Sequence, residues 1–382
     1  MSKVSYRELF RAKGVISLVI SQLYARFPFG MLSLAFVIHI QEVTGSYAIA
    51  GIALGAETIG ASISGPVLGR LMTRFGLRRV IGSATVVTVS AFLAMAWVPP
   101  EPLLLILLGL VVGLSSPPIQ PAARTIYPLI TPKKLLKSLY TLDATAQEIL
   151  WVLGPLLATL VAAQFGNIIM LYTLAAIQIT GTIWFLLNKS VASTKIPKSE
   201  GQVGKVLKNP AVTSVTLLGL LFVGSFAGIE VGEVAIFDKT IAGAMIAIFS
   251  VGSFTGGFWL GPKIKGRFAL TIYLGIVLFG YSLVFVSPGN PWWMGLSLFI
   301  AGLGVAPALG YLSLLVAQGT KPSETAEAYG WTTTGQLVGF SAGSALAGIA
   351  IDTINPTAAL LVSVAFGLAT LLASLTVSTR PS

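Results

Sequence analysis

A small set of charged residues lies inside long apolar stretches of this chain. A charge in such a place is costly, so it usually has a charged partner or a function. Carboxyl groups away from bulk water can bind and release protons near neutral pH, which a proton-coupled process requires. We predict that at least one of these acids carries a proton. The acids are Glu57, Asp143, Glu148, Glu230 and Glu233, and the bases are Arg26 and Arg124.

Positions along the predicted helices suggest how these charges pair. With a rise of about 1.5 Å per residue, Arg26 and Glu57 both fall near the middle of the membrane, and we predict a buried pair between them. Arg124 and Asp143 flank one predicted loop at a shared depth. For the first pair, a purely structural bridge is an equal alternative.

The remaining acids lie on two predicted helices. Glu148 shares a helix with Asp143 but faces another direction, and Glu230 and Glu233 are one turn apart on a later helix. A structural role is the alternative for each of them taken singly.

Other chemistry has little support in the sequence. The chain has one histidine and no cysteine, and no spacing typical of a metal site or a nucleophile with its base. We therefore expect no catalytic residues, no metal and no cofactor, with protons as the coupling ion. His39 is expected to be solvated near a helix end.

The elements that hold these residues are membrane helices. The chain is 55% hydrophobic and 10% charged, and about 20 apolar residues are needed to cross a bilayer as a helix. We predict an all-α membrane protein, with helix 4 interrupted by prolines. The predicted helices are about 15–42, 47–71, 79–98, 102–130, 136–164, 168–187, 210–237, 240–261, 268–287, 291–318, 324–351 and 356–377.

The basic residues are distributed on one side of this arrangement. Most of the 24 Lys and Arg residues, which give a net charge of +11, fall before helix 1, in alternate loops and in the segment between helices 6 and 7. Short cytoplasmic loops carry this excess, so we predict a cell-membrane protein with both termini in the cytoplasm. The same one-sidedness argues against nucleic acid as a partner. A long first apolar run favours a retained helix over a signal peptide.

The two halves of the sequence repeat. One constant offset pairs Gly65 with Gly257 and Gly69 with Gly261, and a second pairs stretches of helices 5 and 11. We predict two six-helix halves, 1–188 and 210–382, joined by a cytoplasmic linker over 189–209. Paired halves of this kind are typical of secondary transporters, with the site between them.

The turn between helices 2 and 3 reads GRLMTRFGLRR and is rich in arginine. It resembles the signature loop of the major facilitator superfamily, with Thr73 at the position of the family's aspartate. In that family the aspartate helps to hold one conformation. The matching residues are Gly69, Leu71, Arg74, Gly76, Arg78 and Arg79.

Gly154 and Pro155 stand in the middle of predicted helix 5, where they allow close packing and a kink. The stretch is similar to the glycine–proline motif of the family's proton-coupled exporters. Aromatic side chains could line an apolar pocket in the central helices. The candidates are Phe27, Phe29, Trp151, Phe226 and Trp331.

The resemblance implies twelve helices in two pseudo-symmetric bundles and transport by alternating access. We predict proton-coupled efflux of a small apolar or amphiphilic compound, and we expect small-molecule substrate and lipid bilayer as the partners of a monomeric chain. The first alternative is uptake of a sugar, amino acid or other metabolite. Others are a membrane enzyme and a sensor that has lost transport.

Overall fold

A computed structural model describes residues 8–12, 14–194, 203–237, 239–264 and 266–378. The described part contains twelve helices long and apolar enough to cross a membrane, which confirms the predicted all-α fold. The middle of the predicted linker and both chain termini lie outside the described residues. The helices are α1 Val15–Thr44, α2 Tyr47–Phe75, α3 Leu77–Trp97, α4a Pro102–Leu114, α4b Ile119–Ile130, α5 Lys133–Phe165, α6 Asn167–Leu187, α7 Pro210–Ile236, α8 Lys239–Trp259, α9 Ala269–Leu283, α10 Pro291–Gly319, α11 Thr325–Thr353 and α12 Ala358–Ser378.

Helix 4 is broken where the sequence predicts a break. The segments α4a and α4b are separated by four residues that end in Pro117 and Pro118, and proline cannot donate a backbone hydrogen bond. The hydroxyl of Ser115 turns back to the carbonyl of Val111 at 2.7 Å. The break allows the axis of α4b to differ in direction from that of α4a.

The helices alternate between two ends of the bundle. We call the end that carries the α2–α3 turn at Gly76 the basic end, and the end that carries the α1–α2 turn at Gly45 the far end. Both glycines have positive φ, 90° and 69° respectively, a conformation that residues with a Cβ rarely adopt.

The internal repeat predicted from the sequence reappears as matched helix contacts. A Cβ added to Gly60 of α2 would lie 2.7 Å from the Leu110 carbonyl oxygen of α4a. At the repeated position, a Cβ on Gly252 of α8 would meet the backbone of Phe299 on α10. The same small-residue contacts therefore build both six-helix halves, α1–α6 and α7–α12.

The halves meet along two related interfaces, α2 against α11 and α5 against α8. A Cβ on Gly69 of α2 would lie 2.7 Å from the Ala326 carbonyl oxygen of α11. A Cβ on Gly261, the repeat partner of Gly69, would lie 2.6 Å from a methyl carbon of Thr141 on α5. The glycines that repeat in the sequence thus allow close approach between the halves.

Contact between the halves is strongest at the basic end. There α5 also packs on α10, and α4b packs on α11. One buried apolar cluster runs through both halves and includes Tyr127, Tyr140 and Tyr329. A second cluster, around Phe36 and Phe92, stays within the first half toward the far end. The structure is closed at the basic end.

The close pair of Gly154 on α5 and Gly30 on α1 gives a test of this packing. A Cβ on Gly154 would lie 2.5 Å from the backbone of Gly30, and overpacking costs about 1–3 kcal/mol. We expect Gly154→Ala to lower the thermal unfolding temperature of the detergent-purified protein. Gly82→Ala is the control, because a Cβ there meets nothing within 4 Å, and it should be neutral or stabilising. Equal effects of the two variants would contradict the contact.

Candidate functional site

A buried carboxylate organises the centre of the first half. The Asp143 side chain on α5 has no exposed surface. Its Oδ2 accepts a hydrogen bond from Arg124 Nε of α4b at 2.8 Å. Its Oδ1 accepts from Gln22 Nε2 of α1 at 2.8 Å and from the Tyr127 hydroxyl at 3.0 Å. One acid therefore joins three helices. Arg124 and Asp143, for which the sequence predicts a shared depth, form an ion pair.

Arg26 joins this cluster rather than Glu57. Its Nη1 donates to Gln22 Oε1 at 3.3 Å, and the side chain is turned toward α4b and α5 instead of α2. The predicted Arg26–Glu57 pair is wrong. The sequence predicts a shared depth for the two residues, but Arg26 bonds to Gln22 and Gln120, whereas Glu57 bonds to Thr58.

The cluster reaches the second half through aromatic rings. The Arg124 guanidinium lies over the Tyr329 ring of α11 at 5.7 Å, and the Tyr140 hydroxyl donates to the Arg124 carbonyl at 2.9 Å. The Tyr329 hydroxyl in turn donates to the Ser313 carbonyl of α10 at 2.7 Å. Closure of the basic end therefore covers the charged cluster.

Glu148 makes a direct bond between the halves. Its Oε1 accepts a hydrogen bond from the Ser253 hydroxyl of α8 at 2.7 Å, and the Ser250 hydroxyl also lies within hydrogen-bond reach. Both serines are buried. This is a carboxylate whose partners belong to the opposite half.

The other predicted acids do not join these groups. Glu57 is buried on α2 and accepts only the hydroxyl of the adjacent Thr58, at 3.4 Å, among the described residues. Glu233 has no exposed surface, and neither carboxylate oxygen has a hydrogen-bond partner in the described part of the chain. Glu230, one turn away on α7, is exposed. The five acids thus occupy separate environments.

The α2–α3 turn carries an ion pair that sequence reasoning missed. Thr73, at the place of the family's aspartate, is buried, and its hydroxyl donates to the Arg70 carbonyl at 2.8 Å. The acid stands instead on the opposite half: Glu327 Oε2 of α11 lies 3.7 Å from Arg70 Nη1. Glu327 Oε1 also accepts from the Gly204 backbone N–H at 2.7 Å. One signal in the sequence could have revealed this ion pair. The arginine-rich turn has no acid, and Glu327 lies at the same end of the molecule at the start of α11.

The other residues of the turn have simpler surroundings. Gly69 lies against α11, and Gly76 takes the positive φ of the turn. Arg74 lies over the Phe75 ring at 5.2 Å, and Arg78 Nη2 donates to the Leu186 carbonyl of α6 at 3.3 Å. Leu71 packs against the core cluster that joins the halves, and Arg79 is exposed.

The five aromatic candidates do not form one pocket. Phe29 and Trp151 contact each other edge to face at 5.5 Å and are 37% and 45% exposed. Phe226 packs inside the second half against Phe222 and Phe249, while Phe27 packs on the far-end cluster of the first half.

Trp331 belongs to the closed basic end, because its Nε1 donates to Glu327 at 3.4 Å. Pro155 lies inside the continuous helix α5, and the close packing expected at Gly154 is its contact with Gly30. His39, expected to be solvated, is only 2% exposed, and its Nε2 lies 3.1 Å from the Met95 carbonyl. Within the described ranges, no group of three or more potential ligands could hold a metal.

Comparison with known families gives one match that covers most of the chain. Residues 18–344 match the model described as Major Facilitator Superfamily. Among curated proteins, the multidrug resistance protein MdtG of Klebsiella pneumoniae (strain 342) is 24% identical over 205 residues, 52% of this chain and 48% of that protein. MdtG of Enterobacter lignolyticus (strain SCF1) is 23% identical over 193 residues, 49% of this chain and 46% of that protein. The chain thus spans about half the length of the curated relatives it matches.

Solved structures show the same fold at low identity. A bacterial homologue of the iron transporter ferroportin in an outward-facing state superimposes with a TM-score of 0.76 at 13% identity, over 96% of this chain and 100% of that chain. The human organic anion transporter MFSD10 gives 0.74 at 14% identity, over 94% and 98% of the two chains.

The Glu327 contacts predict a conformational effect. Removing the charge breaks the Arg70 ion pair and weakens the Gly204 bond, so we expect Glu327→Gln to open the basic end more often. The chain has no cysteine, so spin labels can be placed at Lys133→Cys and Lys321→Cys, both exposed. Electron–electron double resonance should then show a larger population of long distances in Glu327→Gln.

Glu324→Gln is the matched control, because the Glu324 side chain at the start of α11 makes none of these contacts. Identical distance distributions for Glu327→Gln and the unchanged protein would show that this ion pair does not hold the basic end closed.

Proposed function

The chain belongs to the major facilitator superfamily, and on that premise we propose that it exports small apolar or amphiphilic compounds in exchange for protons. The family match makes it a multi-pass membrane transporter rather than an enzyme. Export, proton coupling and the substrate class are the proposal. The proposed mechanism is alternating access, in which the two halves tilt and expose a site between them to one side at a time.

The observation that carries proton coupling is the bond between Glu148 and Ser253. An ionised carboxylate accepts a charge-assisted hydrogen bond, which is stronger than a neutral one. Protonation of Glu148 removes that charge and weakens the α5–α8 contact. A proton therefore changes the relative free energies of the open and closed arrangements, which is the condition for a ligand to shift a conformational equilibrium.

The orientation of the cycle follows from the basic residues. We propose that the basic end faces the cytoplasm, as the excess of Lys and Arg there indicates. The conformation closed at the basic end is then the outward-facing one. In this state substrate leaves to the outside and Glu148 can take up a proton from there. Arg70, Glu327 and Gly204 hold the cytoplasmic side shut.

Export is favoured by the relatives and by the apolar lining. The MdtG proteins are named for multidrug resistance, and the exposed Phe29–Trp151 pair offers an aromatic surface between α1 and α5. The structural neighbours carry other cargo by their titles, iron and organic anions, so the fold alone does not select a substrate.

Uptake of a polar metabolite is the second candidate, and one observation favours it. The centre contains more hydrogen-bonding groups than the sequence indicates. Besides the charged cluster, they are the amides of Gln22, Gln120 and Gln147, which are far apart in the sequence. A sugar or amino acid would use such groups. The direction of transport separates the two candidates.

Inside-out vesicles with a preset inward-acid proton gradient test the proposal. Adding a transported compound should release protons from the lumen in exchange, and the lumenal pH signal should rise. We expect Glu148→Gln to abolish this signal, because an amide cannot carry the proton, and Ser253→Ala to change its rate while keeping it. Glu57→Gln, Glu230→Gln and Glu233→Gln test the other acids.

Glu101→Gln is the control, since Glu101 is exposed at the far end. Full proton exchange by Glu148→Gln would remove Glu148 from the coupling mechanism. If no lipophilic compound moves protons, and a radiolabelled sugar or amino acid accumulates in right-side-out cells, export is wrong and uptake replaces it.

A further inference from the structure

Arg26 is a buried cation without an acid of its own. It lies in the middle of α1 with 8% of its surface exposed, and arginine stays charged in proteins. The ion pairs found among the described residues involve Arg70, Arg124 and Lys134 instead. Burying a charge without a countercharge is costly, so this residue calls for an explanation beyond packing.

The nearest carboxylate is already used. Both oxygens of Asp143 are bonded, Oδ2 by Arg124 and Oδ1 by Gln22 and Tyr127. Arg26 reaches Asp143 only through the Gln22 amide. Two guanidinium groups therefore share one carboxylate, and the cluster is short of one negative charge.

Donors from two arginine side chains converge on one neutral atom. The Gln120 amide oxygen, turned toward the arginines, accepts from Arg26 Nη2 at 3.2 Å and from Arg124 Nη2 at 2.8 Å. The same atom lies 3.0 Å from the Gln147 side-chain amide. A nitrogen in that place would face the donors of both guanidinium groups, which favours the orientation with the oxygen toward the arginines. An oxyanion oxygen that replaced this amide oxygen would make charge-assisted hydrogen bonds to both guanidinium groups.

The cluster is accessible along one face of α1. Gln120 and Gln147 are half-buried, whereas Arg26 is buried below them. On α1, Phe29 and Ser33 follow Arg26 at helical spacing toward the far end, and both are exposed. The basic end is closed by α10 and α11, so the approach to Arg26 is from the far end.

An aromatic surface begins one turn above the charged groups. Phe29 follows Arg26 by one turn on α1, and Trp151 follows Gln147 by one turn on α5. Their rings contact edge to face at 5.5 Å. A compound with a charged head at Arg26 would thus have an apolar body against these rings.

We propose that Arg26, together with Gln120 and Gln147, binds the oxyanion group of an amphiphilic substrate, a carboxylate, sulfonate or phosphate, whose apolar part contacts Phe29 and Trp151. This assignment rests on the proposed function, since it names the class of compound that the exporter takes. The anion supplies the negative charge that the cluster lacks. Neutral and cationic amphiphiles of the same shape leave Arg26 uncompensated and bind more weakly.

Calorimetry on the detergent-purified protein tests the assignment with three probes that share one apolar body. They are 2-naphthoate, 2-naphthylmethanol and (2-naphthylmethyl)ammonium. We expect 2-naphthoate to bind at least tenfold more tightly than the other two. Arg26→Gln should lower its affinity at least tenfold and leave the alcohol unchanged, and Arg26→Lys should recover part of the loss. Arg79→Gln, which removes an exposed arginine, should change nothing.

A second variant covers the case in which Arg26→Gln does not fold. Gln120→Glu places a carboxylate between the two guanidinium groups, so it should raise the thermal unfolding temperature and abolish 2-naphthoate binding. The proposal is overturned if the three probes bind equally, if the cation binds best, if 2-naphthoate does not bind at millimolar concentration, or if Gln120→Glu lowers stability and keeps 2-naphthoate binding.

The binding measurement needs no proton gradient, which separates the two proposals. Arg26-dependent 2-naphthoate binding without proton exchange in vesicles would leave the anion site standing and remove proton-coupled export. Proton exchange that is driven only by cations and is unchanged in Arg26→Gln would support proton-coupled export and remove the anion site.

Discussion

The structure depends on one constraint: a charge inside the membrane must be satisfied by other groups of the protein. Asp143 of α5 shows how far this reaches, because its single carboxylate accepts hydrogen bonds from Gln22 of α1 and from Arg124 and Tyr127 of α4b. The break in helix 4 is part of the same solution, since it places Arg124 and Tyr127 beside Asp143. The centre of the first half is thus set by electrostatics, and apolar packing surrounds it.

The same constraint links the charged centre to movement. Arg124 lies under Tyr329, Glu148 accepts a bond from Ser253, and Arg70 pairs with Glu327. Each of these contacts joins one half to the other. The glycine contacts of α2 with α11 and of α5 with α8 bring the backbones of the two halves close together beside these contacts.

The position of the signature aspartate holds an uncharged residue in this chain. Where the signature turn has its aspartate, this chain has Thr73, which bonds only within α2. The negative charge comes from Glu327 on the other half, and Gly204 of the segment before α7 binds the same carboxylate. The closed basic end therefore has an ion pair between the halves although the turn itself has no acid. The segment between the halves takes part in closure rather than only connecting them.

The sequence by itself determined the twelve helices, the break at Pro117 and Pro118, the repeat and the basic side of the molecule. These follow from properties that run along the chain: apolar length, proline chemistry, recurrence and charge. It also identified five acids within the apolar stretches, but not Glu327, which is buried at the start of α11. Only the tertiary structure decided the partners. Arg26 and Glu57 have the same predicted depth yet different partners, and Arg70 and Glu327 meet although most of the chain lies between them. Depth is fixed by rise per residue, whereas direction and neighbours depend on how the helices rotate and pack.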